Sequence, residues 1–134
     1  METKVEKKPT IAIRSKKYAE LAYPLVKKVK GTDTEAKYRT LALTFPTMIM
    51  QSGLAQAIGF LRAKATATKK PENEHFHILL NHLIQLVAEK KDVESFQKKI
   101  LESTITDYQK LTRDAIEASS WLKRYTQALL DKQS

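Results

Sequence analysis

Three histidines are the side chains best suited to acid–base or metal chemistry in this chain of 134 residues, which contains no cysteine. His75 and His82 are seven residues apart and share one face of a predicted helix, whereas His77 points in another direction. A zinc site needs three or four closely spaced ligands, and the nearby acids Glu72 and Glu74 lie at the predicted end of this helix. We therefore expect histidines that face solvent or cap the helix, with no metal site and no cofactor.

The sequence contains none of the short motifs that build common active sites. It has no G-x-x-x-x-G-K-[ST] loop for phosphates, no G-x-G-x-x-G for dinucleotides and no G-x-S-x-G for a nucleophilic serine. His82 and Glu89 could still form an acid–base pair, although no nucleophile lies beside them. We predict that the protein is not an enzyme, and a small helical enzyme that uses His82 is kept as an alternative.

Basic side chains give a stronger signal. The chain has 24 Lys and Arg against 15 Asp and Glu, a net charge of +9, and residues 1–67 carry 13 basic and 5 acidic side chains against 11 and 10 in residues 68–134. If the first three helices pack together, their cations can share a surface that binds nucleic-acid phosphates without sequence preference. A lysine-rich face that only keeps the protein in solution is the alternative. The candidate phosphate contacts are Arg14, Lys16, Lys17, Lys27, Lys28, Arg39, Arg62 and Lys64.

Two further segments are candidates for contacts with a partner. In the first, a break at Ser52-Gly53 brings Gln51 and Gln56 to a corner, where their amides could bond backbone groups or a ligand. In the second, Trp121 lies off the apolar stripe of its helix, beside cations. This position suits an interface anchor, a nucleic-acid contact or the edge of a core. The candidate partner-binding residues are Gln51, Gln56, Trp121, Lys123 and Arg124.

Helices must position these side chains, because three glycines and four prolines are too few for the turns of a β-sandwich or barrel. Apolar residues recur at steps of three and four, most regularly over 108–129. The prediction is an all-α fold, a single compact bundle of about six helices over 13–134, preceded by a flexible basic lead-in over 1–12. The predicted helices cover 13–30, 33–51, 54–65, 74–90, 93–102 and 108–129.

Prolines and glycines mark the ends and bends of these helices. Pro24 and Pro46 are expected to kink the first and second helices, because proline removes a backbone hydrogen bond and crowds the preceding turn. Gly31 is placed to cap the first helix, and Thr32 with Glu35 has the spacing of a capping box for the second. No window has the apolar length of a membrane span and no secretory signal is evident, so a cytoplasmic protein is expected.

The two candidate partner segments resemble the small α-helical subunit of type III-B CRISPR effector complexes, the Cmr family. The likeness covers 13–130 in the order of helices. Its specific parts are the corner Q-S-G-L-A-Q-A at 51–57, in a run that extends from Tyr38 through Pro46 to Phe60-Leu61, and the end W-L-K-R-Y at 121–125. Residues 66–105 match only as generic helices.

This resemblance implies a non-catalytic structural subunit of an RNA-guided complex in antiviral defence. Family members stack along an inner filament beside a large Cas10-type subunit, backbone subunits and further copies of themselves. Their basic surface is thought to line the path of the guide and target RNA. A free-standing protein that binds nucleic acid without sequence preference is the other hypothesis. Within the motifs, Gly53, Leu54, Ala57 and Phe60 are better explained by fold maintenance than by partner contacts, and for Trp121 both explanations stand.

Overall fold

The described part of the chain is made of helices. The structure is a computed structural model that describes residues 11–67, 71–88 and 92–132. In these ranges it contains six α-helices and no strand, so the predicted all-α bundle is confirmed. The helices are α1 (Ile11–Lys27), α2 (Glu35–Ser52), α3 (Leu54–Ala67), α4 (Glu74–Val87), α5 (Val93–Glu102) and α6 (Ile105–Leu129), with a 3-10 turn at Pro71–Asn73.

The flexible lead-in predicted over 1–12 is only partly open to comparison. Residues 1–10 lie outside the described residues, and α1 already begins at Ile11. Helix α3 continues two residues beyond its predicted end at 65, to Ala67, and a 3-10 turn at Pro71–Asn73 precedes α4. Residues 68–70 lie outside the described residues.

Helix α4 lies at the centre of the bundle and packs against all five other helices. Its sequence explains this position, because apolar residues occupy more than one side of the helix and Glu74, in the first turn, is its one acidic or basic residue apart from histidines. Leu79 and Leu83 are completely buried, and Leu80 and Leu86 are nearly so. Burial of each such side chain contributes on the order of 2 kcal/mol to stability. The core therefore forms around α4.

Helix α6 carries the regular apolar stripe that the sequence predicts. Leu111, Ala115, Ala118 and Leu122 are all buried, and two of the four are alanines, which let the neighbouring helices approach closely. The helix begins earlier than predicted, because Thr104 caps it: the Thr104 hydroxyl accepts a hydrogen bond of 3.1 Å from the backbone N–H of Asp107.

The two predicted proline kinks fall inside continuous helices. Pro24 lies within α1 and Pro46 within α2, and neither proline divides its helix into two segments. Each proline lacks an N–H, so the carbonyl of the residue four positions earlier loses its helical donor. Pro46 is buried, whereas Pro24 is exposed near the end of α1.

The turn between α1 and α2 differs from the predicted capping box. Gly31 adopts a φ of 83°, as expected of a glycine near a helix end, but α2 begins at Glu35 itself. One carboxylate oxygen of Glu35 accepts from the Gly31 N–H at 2.9 Å, and the other accepts from the Asp131 N–H at 2.8 Å. The Thr32 hydroxyl donates instead to the Val29 carbonyl. The capping-box prediction was therefore wrong, because Glu35 bonds the turn and the end of α6.

The order of packing differs from the order of the chain. Helix α1 packs mainly against α6 and secondarily against α4, while α3 packs mainly against α4 and also against α2 and α5. Contacts between α1 and α6 follow each other in the same direction, from Arg14 and Asp114 to Lys30 and Asp131, so these helices run parallel. The first three helices therefore do not form a group of mutually packed neighbours. Among the described residues, no helix combines the length and the apolar character needed to cross a membrane.

Candidate nucleic-acid and subunit interface

Four of the predicted phosphate contacts lie on α1 and its end, and all four are exposed: Lys16, Lys17, Lys27 and Lys28. Lys17 and Lys28 are eleven residues apart, which is close to three helical turns, so they lie on the same side of α1, about 16 Å apart along its axis. Neither has an ion-pair partner among the described residues. They therefore form a short row of lysines with no acid within 4 Å among the described residues.

Lys16 and Lys27 lie on a second side of α1. The ammonium of Lys16 is 3.7 Å from the carboxylate of Glu20, one turn further along the helix. The ammonium of Lys27 lies 5.8 Å from the ring centroid of Tyr23, a distance that suits a cation–π contact. An exposed ion pair of this kind is weak, so Lys16 can exchange its partner at little cost.

Arg14 is held by acids of α6. Its guanidinium lies 3.5 Å from the carboxylates of both Asp114 and Glu117, and all three side chains are half-buried. Burial, with a contribution from Asp114, also raises the pKa of the neighbouring Tyr18 to about 12. The charge of Arg14 is therefore neutralised within the fold, and it is a poor candidate for a phosphate contact.

Arg62 is held in a similar way by α5. Its guanidinium donates to the carboxylate of Glu94 and to the side-chain oxygen of Gln97, which ties α3 to α5. Lys64, two residues later, is exposed and lies 5.9 Å from the ring centroid of Phe60. Of the two predicted contacts on α3, only Lys64 projects into solvent without an acid within 4 Å among the described residues.

Arg39 lies on α2 and is half-buried. Its Nε, like that of Arg14, is buried without a hydrogen-bond partner among the described residues. A buried N–H of a guanidinium normally has an acceptor, because leaving it unpaired costs about 1–3 kcal/mol.

The corner between α2 and α3 is built around Gly53. Its φ of 89° and ψ of 157° belong to a region that other residues rarely adopt, and its N–H donates to the Ile49 carbonyl at 2.8 Å. The hydroxyl of Tyr108 accepts from the Ala55 N–H at 3.0 Å, so α6 satisfies one of the free backbone donors of α3. Sequence reasoning placed Tyr108 on the apolar stripe of α6 but missed this capping role.

The other motif residues of the corner divide into buried and exposed groups. Leu54 and Ala57 are buried, and Phe60 packs edge-on against Phe76 with ring centroids 5.7 Å apart. These contacts agree with fold maintenance as the role of these residues. The candidate partner residues Gln51 and Gln56 are exposed and make no hydrogen bond within the described part of the chain. Both amides are therefore available to a partner.

Trp121 joins α1 to α6. Its indole Nε1 donates to the Ser15 hydroxyl at 2.9 Å, and its ring lies 5.6 Å from that of Tyr125. Trp121 is half-buried, as are its neighbours Lys123 and Tyr125, whereas Arg124 is exposed. The indole N–H therefore already has a partner within the fold. Only the exposed part of the Trp121 ring is available for contact with another molecule.

The histidines differ from the expectation that they face solvent or cap a helix. His75 and His82 share the buried side of α4, as their spacing implies, and only His77 is exposed. The Nδ1 of His82 lies 2.8 Å from the hydroxyl of Tyr38, which is itself completely buried. Burial lowers the pKa of His82 to about 4. The expectation failed because the apolar face of α4 is wide enough to include both positions.

Of the acid–base pair that the sequence suggests, only His82 belongs to the described residues, and Glu89 lies outside them. Among the residues that the structure describes, no group of three or more His, Asp or Glu side chains is arranged to hold a metal ion. What the described surface does offer is exposed cations on α1 and α3, Arg39 on α2, and the free amides at the corner.

Comparisons with known proteins extend over almost the whole chain. A family model described as "CRISPR-associated protein (Cas_Cmr5)" matches residues 14–129. The chain is 29% identical over 119 residues to the CRISPR system Cmr subunit Cmr5 of Thermus thermophilus, covering 89% of this chain and 97% of that protein. It also superposes with a TM-score of 0.75 on the crystal structure of a CRISPR-associated Cmr5 family protein from the same organism. That match has 30% sequence identity and covers 88% of this chain and 98% of the other.

Proposed function

The chain belongs to the Cmr5 family of CRISPR-associated proteins, and from this membership we propose that it is the non-catalytic small subunit of a type III-B CRISPR effector complex. Membership in the family implies association with other Cmr subunits. In the proposed role, the protein stacks with further copies of itself beside the large Cas10-type subunit and the backbone subunits. It presents a basic surface to the guide and target RNA of a cytoplasmic antiviral complex.

The match of the family model over residues 14–129 is the observation that carries this proposal. It spans α1 to the last residue of α6, so the likeness concerns the whole bundle and is not limited to one motif. A non-catalytic role is supported by the state of His82, the residue of the enzyme alternative. Its ring is buried against Tyr38 and its pKa is about 4, which makes it a weak base at neutral pH.

The proposed RNA surface is narrower than the set of basic residues in the sequence. Arg14 and Arg62 are engaged by acids of α6 and α5, so we assign them to the fold. The proposed contacts are the exposed row of Lys17 and Lys28, with Lys16 and Lys27 on the adjoining side of α1. Arg39 and Lys64 are further candidates. Binding through such contacts is independent of base sequence and weakens as salt is raised.

The proposed subunit contact is the corner between α2 and α3. Gln51 and Gln56 present free amides there, and the neighbouring Met50 is 69% exposed. An exposed apolar side chain beside unpaired amides suits an interface with another protein, where the apolar group is buried and the amides gain partners. The exposed surfaces of Trp121, Lys123 and Arg124 are a second candidate contact.

Co-purification tests the proposal as a whole. The tagged protein, expressed in its native host and recovered at low salt, should bring with it other Cmr subunits and a guide RNA. Recovery of the protein alone and free of RNA would contradict membership of a complex. Tight binding of RNA by the isolated protein at physiological salt would instead favour the free-standing nucleic-acid-binding hypothesis.

Charge reversal on α1 tests the proposed RNA surface. We expect Lys17→Glu with Lys28→Glu to lower RNA crosslinking to this subunit in the assembled complex and to leave the other subunits bound. Each lost phosphate contact should also reduce the salt slope of RNA binding by about one. Lys98→Glu with Lys110→Glu makes the same charge change at exposed positions of α5 and α6 and serves as the control. Equal effects of the two pairs would contradict the surface assignment.

A further inference from the structure

A cavity of about 350 Å³ opens between the end of α1, the turn that follows it and α4. Its apolar wall is formed by Leu25, Val29 and Ile78, and polar side chains surround the rest. Sites for small molecules have volumes of about 300–1,000 Å³ and combine an apolar wall with a few polar groups. This cavity lies apart from the corner and its exposed amides, and of its lining residues only Lys28 belongs to the proposed RNA surface.

His82 supplies a hydrogen-bond donor to the cavity. The hydroxyl of Tyr38 is completely buried, and the Nδ1 of His82 is its partner at 2.8 Å. A buried hydroxyl needs an acceptor, so the Tyr38 O–H donates to Nδ1, and the neutral ring then carries its proton on Nε2. His82 lines the cavity and is only 7% exposed, and its Nε2 has no hydrogen-bond partner among the described residues.

Three charged side chains line the same cavity: Lys28, Asp33 and Glu74. None of them has an ion-pair partner within 4 Å in the described ranges of the chain. Two carboxylates against one ammonium make the mouth of the cavity favourable for a cation. The cavity therefore combines a neutral hydrogen-bond donor, the Nε2–H of His82, with an apolar wall and a mouth that has an excess of negative charge.

The separation of these groups limits the shape of a ligand. Glu74 and His82 are eight residues apart on α4, which places their backbones about 12 Å apart along the helix axis. Ile78 lies between them on the same wall. A ligand that reaches both groups needs a cationic end and an acceptor end joined by an apolar chain. A carboxylate at the acceptor end would be disfavoured, because one neutral donor does not offset its loss of hydration.

We propose that this cavity binds a small primary amine that carries a neutral amide carbonyl about five methylene groups away, the chemistry of an ω-amino amide. The carbonyl accepts a hydrogen bond from Nε2 of His82. The ammonium lies at the mouth beside Glu74 and Asp33, and the methylene chain packs on Leu25, Val29 and Ile78.

Three matched probes test this proposal on the full chain: 6-aminohexanamide, hexanamide without the ammonium, and hexylamine without the carbonyl. We expect 6-aminohexanamide to bind with a Kd in the millimolar range or below, as measured by calorimetry, and each shortened probe to bind at least about five-fold more weakly. In NMR spectra, the Nε2–H signal of His82 should move with the two amides and stay in place with hexylamine.

Variants at the mouth separate this site from non-specific binding. We expect Glu74→Gln to weaken the binding of 6-aminohexanamide about five-fold and to leave the binding of hexanamide unchanged. Glu102→Gln, an exposed acid of α5, should leave both unchanged and is the matched control. His82→Asn keeps an acceptor for Tyr38 and should abolish the preference for 6-aminohexanamide over hexylamine. Equal affinity for the three probes, no saturable shift of the His82 signals, or an unaltered Kd in Glu74→Gln would overturn the proposal.

Discussion

Gly53 is the residue whose identity the backbone restricts most. Its φ of 89° with a ψ of 157° is accessible to glycine and strained for any side chain. A Cβ at this position would meet the Tyr108 hydroxyl at 3.4 Å, which is an ordinary contact distance, so backbone strain and not a clash makes the position specific. The glycine of the Q-S-G-L-A-Q-A motif therefore has a sufficient explanation in the fold.

Alanine at the two glycines of this region should have opposite effects. We expect Gly53→Ala to lower the free energy of unfolding by about 1–3 kcal/mol because of backbone strain. Gly59→Ala should raise it by up to about 1 kcal/mol, since Gly59 lies in the interior of α3 and its Cβ would meet nothing within 4 Å. Urea denaturation of both variants measures the difference. A Gly53→Ala variant as stable as the parent would show that the corner can adopt another backbone conformation.

His82 makes stability depend on pH in a defined window. Its pKa is about 4 in the folded chain against an ordinary value of 6.5, because burial disfavours the charged ring. The folded state therefore binds fewer protons than the unfolded state between these values, so stability is lost as the pH falls through them. We expect the free energy of unfolding to fall by about 2 kcal/mol from this group between pH 7 and pH 5.

Denaturation at a series of pH values measures this contribution. His82→Asn, which retains an acceptor for Tyr38, should remove it, and the difference from the parent chain separates it from His75, whose pKa is also lowered by burial. His77→Asn changes an exposed histidine on the same helix, leaves the contribution of His82 in place and serves as the control. The same slope in the His82→Asn variant would mean that the buried ring does not titrate as described.

The pairing of α1 with α6 is a helix–helix contact that the sequence leaves open. It combines the ion pairs of Arg14, the hydrogen bond from Trp121 to Ser15, and an edge-on contact of Tyr23 with Tyr125 at 5.3 Å. The helices themselves could be predicted, because periodicity and caps are local signals. Their packing partners could not be predicted, since residues about a hundred positions apart in the chain form no local pattern that shows which helices pack together.

The same distinction explains the errors within single elements. The spacing of Thr32 and Glu35 fits a capping box, but Glu35 instead bonds Gly31 and the distant Asp131. The predicted basic set contained Arg14 and Arg62, yet their charges are compensated by acids of α6 and α5. In each case a contact with a remote segment replaced a role that the local sequence suggested.

A double-mutant cycle on Ser15 and Trp121 measures how firmly α1 is attached to α6. Trp121→Phe removes the indole donor and keeps most of the ring, and Ser15→Ala removes the acceptor. We expect each change to cost about 1 kcal/mol and the pair to show a coupling energy of about 0.5–1 kcal/mol in the free energy of unfolding. A coupling near zero would show that the hydrogen bond between Trp121 and Ser15 contributes little to stability. It would favour a role of Trp121 as an anchor for a partner.

At the scale of the whole molecule, the surplus of positive charge in residues 1–67 is smaller on the surface than in the sequence. Acids of the second half reach back to it: Asp114 and Glu117 to Arg14, Asp131 to Lys30, and Glu94 to Arg62. Of the candidate phosphate contacts, the lysines of α1 and its end, Arg39 on α2 and Lys64 on α3 are left without an acid of another helix within 4 Å among the described residues. This distribution could not be read from a count of charges, because it depends on which helices are neighbours.

Release of Arg14 from its acids should strengthen binding of RNA by the isolated protein. We expect Asp114→Asn with Glu117→Gln to raise affinity several-fold at low salt, because the variant gains net charge and frees a guanidinium. Fluorescence anisotropy with a single-stranded RNA at two salt concentrations measures this. Glu102→Gln with Asp107→Asn changes the net charge equally at exposed positions away from Arg14 and is the control. An equal gain in both variants would indicate that only total charge matters.

The parallel pairing of α1 with α6 also has a consequence for how the protein is made. Helix α1 leaves the ribosome early, but its main neighbour begins only at Ile105, so the part of α1 that packs against α6 stays uncovered while the intervening helices are synthesised. At ordinary translation rates this delay lasts roughly 5–20 seconds, which is long compared with the formation of a helix. The bundle is therefore completed late in biosynthesis. A ribosome stalled before α6 would carry a nascent chain with exposed apolar surface that chaperones can bind.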